Sequence, residues 1–129
     1  MVDDRLAEFA RAILKVRRDR RHELPAELFG GELAYELLLI LFIADSRGER
    51  LTGRSALEQA GGVSAAGRRW IAYLTREKLI VGDGDGNLDD TLTLTAKALS
   101  ALEGWLSRAH ETFDQSRSSK SEPFEDLPR

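Results

Sequence analysis

Residues 53–95 read GRSALEQAGGVSAAGRRWIAYLTREKLIVGDGDGNLDDTLTLT, and the period of their apolar residues changes part-way along. The first part predicts two short helices, over about 53–60 and 65–78, because apolar side chains recur there at helical spacing. The pair Gly61-Gly62 predicts the turn between these helices, and Ser64 is placed to cap the second one.

The second part changes to a period of two, which is typical of β-strands. Leu79-Ile80-Val81 is a short apolar run, residues 82–90 are rich in Gly, Asp and Asn, and residues 91–95 alternate threonine with leucine. This pattern predicts a β-hairpin in which Leu92 and Leu94 face inward.

Long helices are predicted on both sides of this segment. Residues 3–23 carry an apolar face, and Pro25 ends that helix because the residue before a proline is displaced from the α region. Residues 32–46 form a second long helix. Residues 96–115 form the last one, with Thr95 as its N-cap.

The run Leu37–Ala44 is apolar on every face, as is typical of a helix that other elements cover on all sides. We therefore expect this run at the centre of the core, with Trp70 and Leu74 packed near it. Val63, directly after the turn, is expected to fill the core behind it.

The predicted order is helix, helix, helix-turn-helix, hairpin and helix. Three helices followed by a β-hairpin form the winged-helix arrangement, whose helix-turn-helix can enter the DNA major groove. The sequence thus predicts a mostly α fold with a small β-hairpin, a winged helix-turn-helix with long N- and C-terminal helices. We expect one domain over residues 1–115 and a disordered polar tail over 116–129.

The bulk composition restricts the function. The 129 residues are 42% apolar and 32% charged, with a net charge of −3 and no cysteine. A weakly acidic chain has no global field that holds it on nucleic acid, so such binding needs a local patch. The N-terminal start is acidic, and the longest apolar run is far shorter than the roughly 20 residues that span a bilayer. We expect a cytoplasmic protein with no membrane partner.

No motif points to catalysis, so we predict that the protein is not an enzyme and has neither cofactor nor metal. Residues 82–87 fail the dinucleotide-binding fingerprint because Asn87 replaces its last glycine and no helix follows. The loop also resembles the first half of a calcium loop. However, Leu88 and Leu94 stand where such a loop needs glycine and a bidentate glutamate.

The second short helix carries Arg68 and Arg69 as the only charges of its first two turns. Arginine is the commonest bidentate reader of guanine, so we expect both side chains to contact bases. Ser64 and Ala65, at a helix N-terminus that donates to phosphate, and Arg54 are expected near the DNA backbone. The alternative is that the two arginines only face solvent.

Two charged segments bear on DNA binding in opposite ways. The hairpin loop carries four acids and no base, and such a loop would repel phosphate. Its acids are Asp83, Asp85, Asp89 and Asp90. Residues 11–22 instead hold six Arg or Lys against one Asp. This stretch could contact DNA phosphates or an acidic partner, or could be a solvated helix face.

Both terminal helices carry narrow apolar seams that suit helix-to-helix packing. A two-fold homodimer would cover these seams, whereas the alternative is that the two helices pack only on each other within one chain. The expected interface residues are Leu6, Phe9 and Ile13 in the first helix and Leu99, Leu102, Leu106 and Phe113 in the last.

Five pieces of the chain support a family resemblance. They are Pro25-Ala26-Glu27-Leu28-Phe29, the run Glu36–Ala44, Arg69-Trp70-Ile71 with Leu74, Leu79-Ile80-Val81 and Leu92-Thr93-Leu94-Thr95. In order and spacing they resemble the MarR-like winged-helix regulators, particularly the short stand-alone winged-helix DNA-binding proteins, over roughly residues 20–106. The resemblance implies homodimers joined through the N- and C-terminal helices, and a recognition helix that enters the DNA groove.

The chain departs from this family in two places. The interval from Val63 to Trp70 is one residue shorter than usual, and the hairpin loop lacks the two or three arginines that grip phosphate in the family. The predicted function is a DNA-binding transcriptional regulator that binds double-stranded DNA as a homodimer. The alternative is a winged-helix interaction module with weak or no DNA binding, which the acidic loop favours. A small-molecule effector is compatible with both, and the sequence identifies none.

Overall fold

A computed structural model of the chain describes residues 4–23, 31–82 and 87–126, with the side chains of 4–19, 31–82 and 87–114. Within these residues there are five helices and three short strands. In chain order they are α1 (Asp4–Glu23), α2 (Glu32–Ser46), β1 (Leu51–Thr52), α3 (Gly53–Gln59), α4 (Ala65–Arg76), β2 (Ile80–Val81), β3 (Thr91–Leu94) and α5 (Ala96–Asp126). The prediction of a mostly helical fold with a small β-hairpin is confirmed.

Helix α2 lies at the centre of the core, as its composition predicts. Every residue from Leu39 to Ala44 is buried, and Phe42 is fully so. The helix contacts α1, α3, α4 and β3, which explains why apolar side chains occupy all of its faces. Leu74 is buried in the same cluster and Trp70 packs against it, as predicted.

Helices α3 and α4 are joined by a tight turn and both begin with a side-chain cap. Ser64 is the N-cap of α4, as predicted, because its Oγ accepts a hydrogen bond of 3.0 Å from the backbone N–H of Gly67. A Cβ at Gly67 would lie 2.6 Å from a methyl group of the fully buried Leu57, so glycine permits this close approach of the two helices. The expected burial of Val63 is wrong, since this residue is 41% exposed.

The sheet has one strand more than the sequence predicts. Its order is β1-β3-β2, with both pairings antiparallel. Strand β1 pairs Leu51 with Leu92, and the β2–β3 hairpin pairs Ile80 with Leu94. Two residues are too few for a period of two to be recognised, so β1 has no signature in the sequence.

The terminal helices agree with prediction at their N-terminal parts. Helix α1 covers the expected 3–23 apart from Asp3, which lies outside the described residues together with the segment around Pro25. Thr95 caps α5 by accepting a 3.2 Å hydrogen bond from the N–H of Ala98.

The end of α5 is corrected by the structure. The helix continues to Asp126 instead of stopping at Gln115, so helix replaces most of the tail that was expected to be disordered. Residues 116–122 contain neither Gly nor Pro, and so no residue there interrupts a helix. None of the described helices is both long enough and apolar enough to cross a membrane.

Candidate nucleic-acid interface

Helix α4 divides its residues between the core and solvent. Ile71 and Leu74 are buried, whereas Arg68 and Arg69 are exposed. Across the residues that the structure describes, no carboxylate lies within ion-pair distance of either guanidinium group. Both groups therefore keep their full charge and hydrogen-bonding capacity for an external ligand.

Sequence reasoning missed two further side chains on this outward face. Tyr73 is 43% exposed and Arg76 is exposed, four and seven residues after Arg69 and therefore on the same side of the helix. The Arg76 guanidinium lies 6.0 Å from the centre of the Tyr73 ring, which packs edge-on against Trp70 at 5.7 Å. The period of α4 gives the signal, since counting on from Arg69 by helical steps reaches both residues.

The N-terminus of α4 is exposed at Ser64 and Ala65, both predicted near the DNA backbone. The Ser64 hydroxyl satisfies the N–H of Gly67. Within the described part of the chain, the N–H groups of Ala65 and Ala66 have no protein acceptor, as is usual in the first turn of a helix. These two donors lie one turn ahead of Arg68 and Arg69.

Arg54 is also exposed, at the start of α3, but its charge is partly compensated. Its Nε lies 3.4 Å from Oδ1 of Asp89, an acid of the hairpin loop (residues 82–90). The N–H of Asp89 donates to the side-chain oxygen of Asn87 at 3.0 Å, which orients this end of the loop. Arg54 is thus a weaker candidate for a phosphate contact than the arginines of α4.

The C-terminal end of the hairpin loop is held against α3 by Leu88. This leucine is 5% exposed although it lies in a polar segment. It sits against Gly53, where an added Cβ would meet its side chain at 3.3 Å. Backbone bonds join the N–H of Gly53 to the carbonyl of Asp90 at 3.1 Å and the N–H of Arg54 to the carbonyl of Leu88 at 2.9 Å.

This contact has two consequences for the predicted roles of the loop. The first N–H groups of α3 bind the loop and are not available for phosphate. Asp83 and Asp85, on which the resemblance to a calcium loop depends, lie outside the described residues. Among those that are described, no three His, Asp or Glu side chains are grouped as a metal site requires.

The predicted dimer residues separate into two groups. Leu102 and Leu106 are buried in the core of their own chain, so they offer no surface to a second copy and are removed from the interface candidates. Four of the others are half-buried against that core; they are Leu6, Phe9, Ile13 and Leu99. Phe113 is 58% exposed.

An apolar groove of about 500 Å³ remains between α1 and α5. Phe9 and Phe113 pack edge-on across it at 5.6 Å, and Val16 on its wall is 65% exposed. The two helices do pack on each other within one chain, but this packing leaves a continuous apolar strip in solvent.

Comparison with family models, with curated proteins and with solved structures finds no match to this chain. The functional argument therefore depends on the geometry of the surfaces described above.

Proposed function

We propose that the protein is a DNA-binding transcriptional regulator that acts as a homodimer through a winged helix-turn-helix. In this proposal α3 and α4 are the helix-turn-helix, α4 is the recognition helix, and the β2–β3 hairpin is the wing. The observation that carries it is the outward face of α4, where Arg68, Arg69, Tyr73 and Arg76 are exposed on a helix whose other side is fixed in the core.

The dimensions of α4 are compatible with this role. A helix of 12 residues is about 18 Å long at 1.5 Å per residue, and the major groove of B-DNA is wide enough to admit it. Arg68 and Arg69 lie near its N-terminal end, which is the part of a recognition helix that contacts base edges. The unpaired N–H groups of Ala65 and Ala66 can donate to an adjacent phosphate.

The three-stranded sheet supports the same assignment. Strand β3, the second strand of the hairpin, also pairs with β1, and β1 immediately precedes α3. The hairpin is therefore fixed relative to α3 and α4 instead of projecting independently. A fixed hairpin beside a recognition helix is the geometry that the winged helix requires.

A dimer is proposed because the groove between α1 and α5 is apolar and exposed. Leaving Val16 and Phe113 in water is unfavourable, and soluble monomers seldom expose contiguous apolar surface of this kind. A two-fold arrangement would cover the same strip on both copies. It would also present two recognition helices to a palindromic site.

Fluorescence anisotropy with duplexes selected from a random library tests the proposal. Arg69→Ala should weaken binding to the selected site by about 1 to 3 kcal/mol and relax the preference at one base position. Arg108→Ala, which removes an exposed arginine from α5, is the matched control and should bind as the wild type does. Equal weakening on all sequences would assign Arg69 to phosphate and not to a base.

The acidic loop favours a second candidate, an interaction module that keeps the scaffold without binding DNA. Asp89 already forms an ion pair with Arg54, which is one of the residues predicted to lie near the DNA backbone. If the wild-type protein binds neither a genomic pool nor the random library at low salt, the regulator proposal is wrong and the interaction module remains.

A further inference from the structure

A second cationic surface lies away from α4, in a groove of about 220 Å³ between α1, α3 and the end of α2. Arg11 and Arg18 of α1 line one wall, and Arg47, directly after α2, lines another. The apolar lining residues are Leu14, Ile40, Ile43, Ala44 and Leu51. Three arginine residues thus line one small cavity.

Two of these three charges are not neutralised within the chain. The Arg18 Nη2 donates to the backbone carbonyl of Gln59 at 2.7 Å, a neutral acceptor. Arg47 is exposed, and of the carboxylates that the structure describes none lies within ion-pair distance of it or of Arg18. Arg11 is paired with Glu8 at 2.6 Å, and Glu49 also lines the groove.

The contact between Arg18 and Gln59 places this groove next to the turn that leads into α4. Gln59 is the last residue of α3, and five residues along the chain is Ser64, the N-cap of α4. Five residues span at most about 18 Å of extended chain. The distance from Arg18 to the N-terminus of the proposed recognition helix is therefore at most about half the length of one turn of B-DNA, which is roughly 34 Å.

The distribution of charge shows why such a surface matters. Residues 51–95 hold five Arg or Lys and six Asp or Glu, a balance of −1. Residues 11–21 hold six Arg or Lys and one Asp. Arg11, Lys15 and Arg17 are paired with Glu8, Asp19 and Glu32, whereas Arg18 pairs with no described carboxylate. Phosphate neutralisation supplies most of the sequence-independent affinity for DNA, and the acidic loop does not provide it.

We propose that Arg18 and Arg47, around the groove between α1, α2 and α3, bind phosphates of the DNA that flanks the site contacted by α4. This inference rests on the proposed function. It assigns to α1 and the C-terminal end of α2 the phosphate-binding role that a basic wing would have, and its ligand is the phosphodiester backbone of duplex DNA. An acidic protein segment is the competing ligand for the same charges.

Salt-dependent titration of two duplexes tests the inference. One duplex holds only the selected site and the other adds flanks of about half a helical turn, roughly 5 base pairs, on each side. For Arg18→Gln with Arg47→Gln, the slope of log K against log salt on the long duplex should fall by about 3.6 for the proposed dimer, since each protomer loses two phosphate contacts and each contact contributes about 0.9. The short duplex should show little change, and the preference for the selected site should be retained.

Matched variants separate this effect from misfolding. Arg47→Gln alone removes no described intramolecular contact, so it should keep the wild-type melting temperature and lower the slope by about 1.8, one phosphate contact in each protomer of the dimer. Arg108→Gln removes a charge of the same kind from α5 and should leave the slope unchanged.

The outcomes distinguish the two proposals. If the wild type binds the selected duplex but Arg47→Gln and the double variant keep its slope, the phosphate site is wrong and the regulator proposal stands. If the wild type binds no duplex, both are wrong. Binding of a polyglutamate peptide that depends on Arg18 and Arg47, without binding of the flanks, would assign the groove to an acidic protein segment and overturn the DNA inference.

Discussion

Helix α2 and the pair formed by α1 and α5 both present apolar residues at helical spacing, but they differ in what covers those residues. The apolar residues of α2 are covered by four other elements of the same chain. The α1–α5 pair covers only part of its seam, and Val16 and Phe113 remain in solvent. Periodicity thus predicts which side chains avoid water, but not whether the cover comes from the same chain.

The largest expected effect on stability comes from replacing one phenylalanine by alanine in each region and comparing the two losses. Phe42→Ala, in α2, should lower the free energy of unfolding by about 3 to 5 kcal/mol, because Phe42 is fully buried. Phe113→Ala should cost less than about 1.5 kcal/mol, the upper range of its edge-on contact with Phe9. Urea unfolding of both variants measures the difference, and equal losses would contradict the distinction between the regions.

The junction between the two regions should show the next largest effect. Arg17 of α1 forms an ion pair with Glu32 of α2, and its guanidinium lies 5.0 Å from the Tyr35 ring centre. Both charged side chains are less than one-fifth exposed, so we expect Arg17→Ala to cost about 1 to 3 kcal/mol of unfolding free energy. Lys15→Ala, which breaks an exposed pair with Asp19 on the same helix, should change it by under about 0.5 kcal/mol.

Association should depend on the α1–α5 region alone. Val16→Asp puts an unpaired charge into the groove, so it should raise the dimer dissociation constant at least about tenfold, or roughly 1.4 kcal/mol, without unfolding the chain. Val81→Asp, at a residue 57% exposed on β2, is the control. Light scattering that finds wild-type monomer of 14.4 kDa at micromolar concentration would contradict the dimer.

The smallest expected effect on stability lies at the exposed edge of the hairpin loop. Asp89→Asn breaks an ion pair in which the Arg54 and Asp89 side chains are 49% and 76% exposed, so the free energy of unfolding should change by less than about 0.5 kcal/mol. Because it also releases Arg54, low-salt DNA affinity should rise by a few-fold. Glu111→Gln on α5 is the control. If Asp89→Asn leaves the DNA affinity unchanged, Arg54 does not belong to the DNA-binding surface.

The parts of the fold that follow from local sequence agree with the structure. Helix α2 covers the predicted residues 32–46 because its length and its apolar run are both local properties. Strand β1 and the burial of Leu88 could not be predicted in this way. Both depend on partners distant in the chain, Leu92 for β1 and Gly53 for Leu88.

The candidate site shows the same limit. The exposure of Arg68 and Arg69 follows from the apolar period of α4, and the sequence identifies both residues. Whether the charge of an arginine is compensated, by contrast, depends on its neighbours in space. The Arg54 contact with Asp89 joins residues 35 apart in sequence, and the Arg18 contact with Gln59 joins residues 41 apart. A net charge counted along the chain cannot show that one of these arginines is compensated and the other is not.

The central position of β3 has a consequence for the order of folding and for local opening. Pairing Leu51 with Leu92 closes a loop of about 40 residues, at an entropic cost of roughly 3 kcal/mol, whereas the β2–β3 hairpin closes a much shorter one. Folding by way of the hairpin is therefore favoured, with β1 added once α3 and α4 have brought its residues close. In the folded chain, Thr91 and Leu92 of β3 pair with β1, whereas Thr93 and Leu94 pair with β2. Local opening of the β1 pairing should therefore expose the amides of Thr91 and Leu92 to hydrogen exchange before those of Thr93 and Leu94, which the hairpin holds.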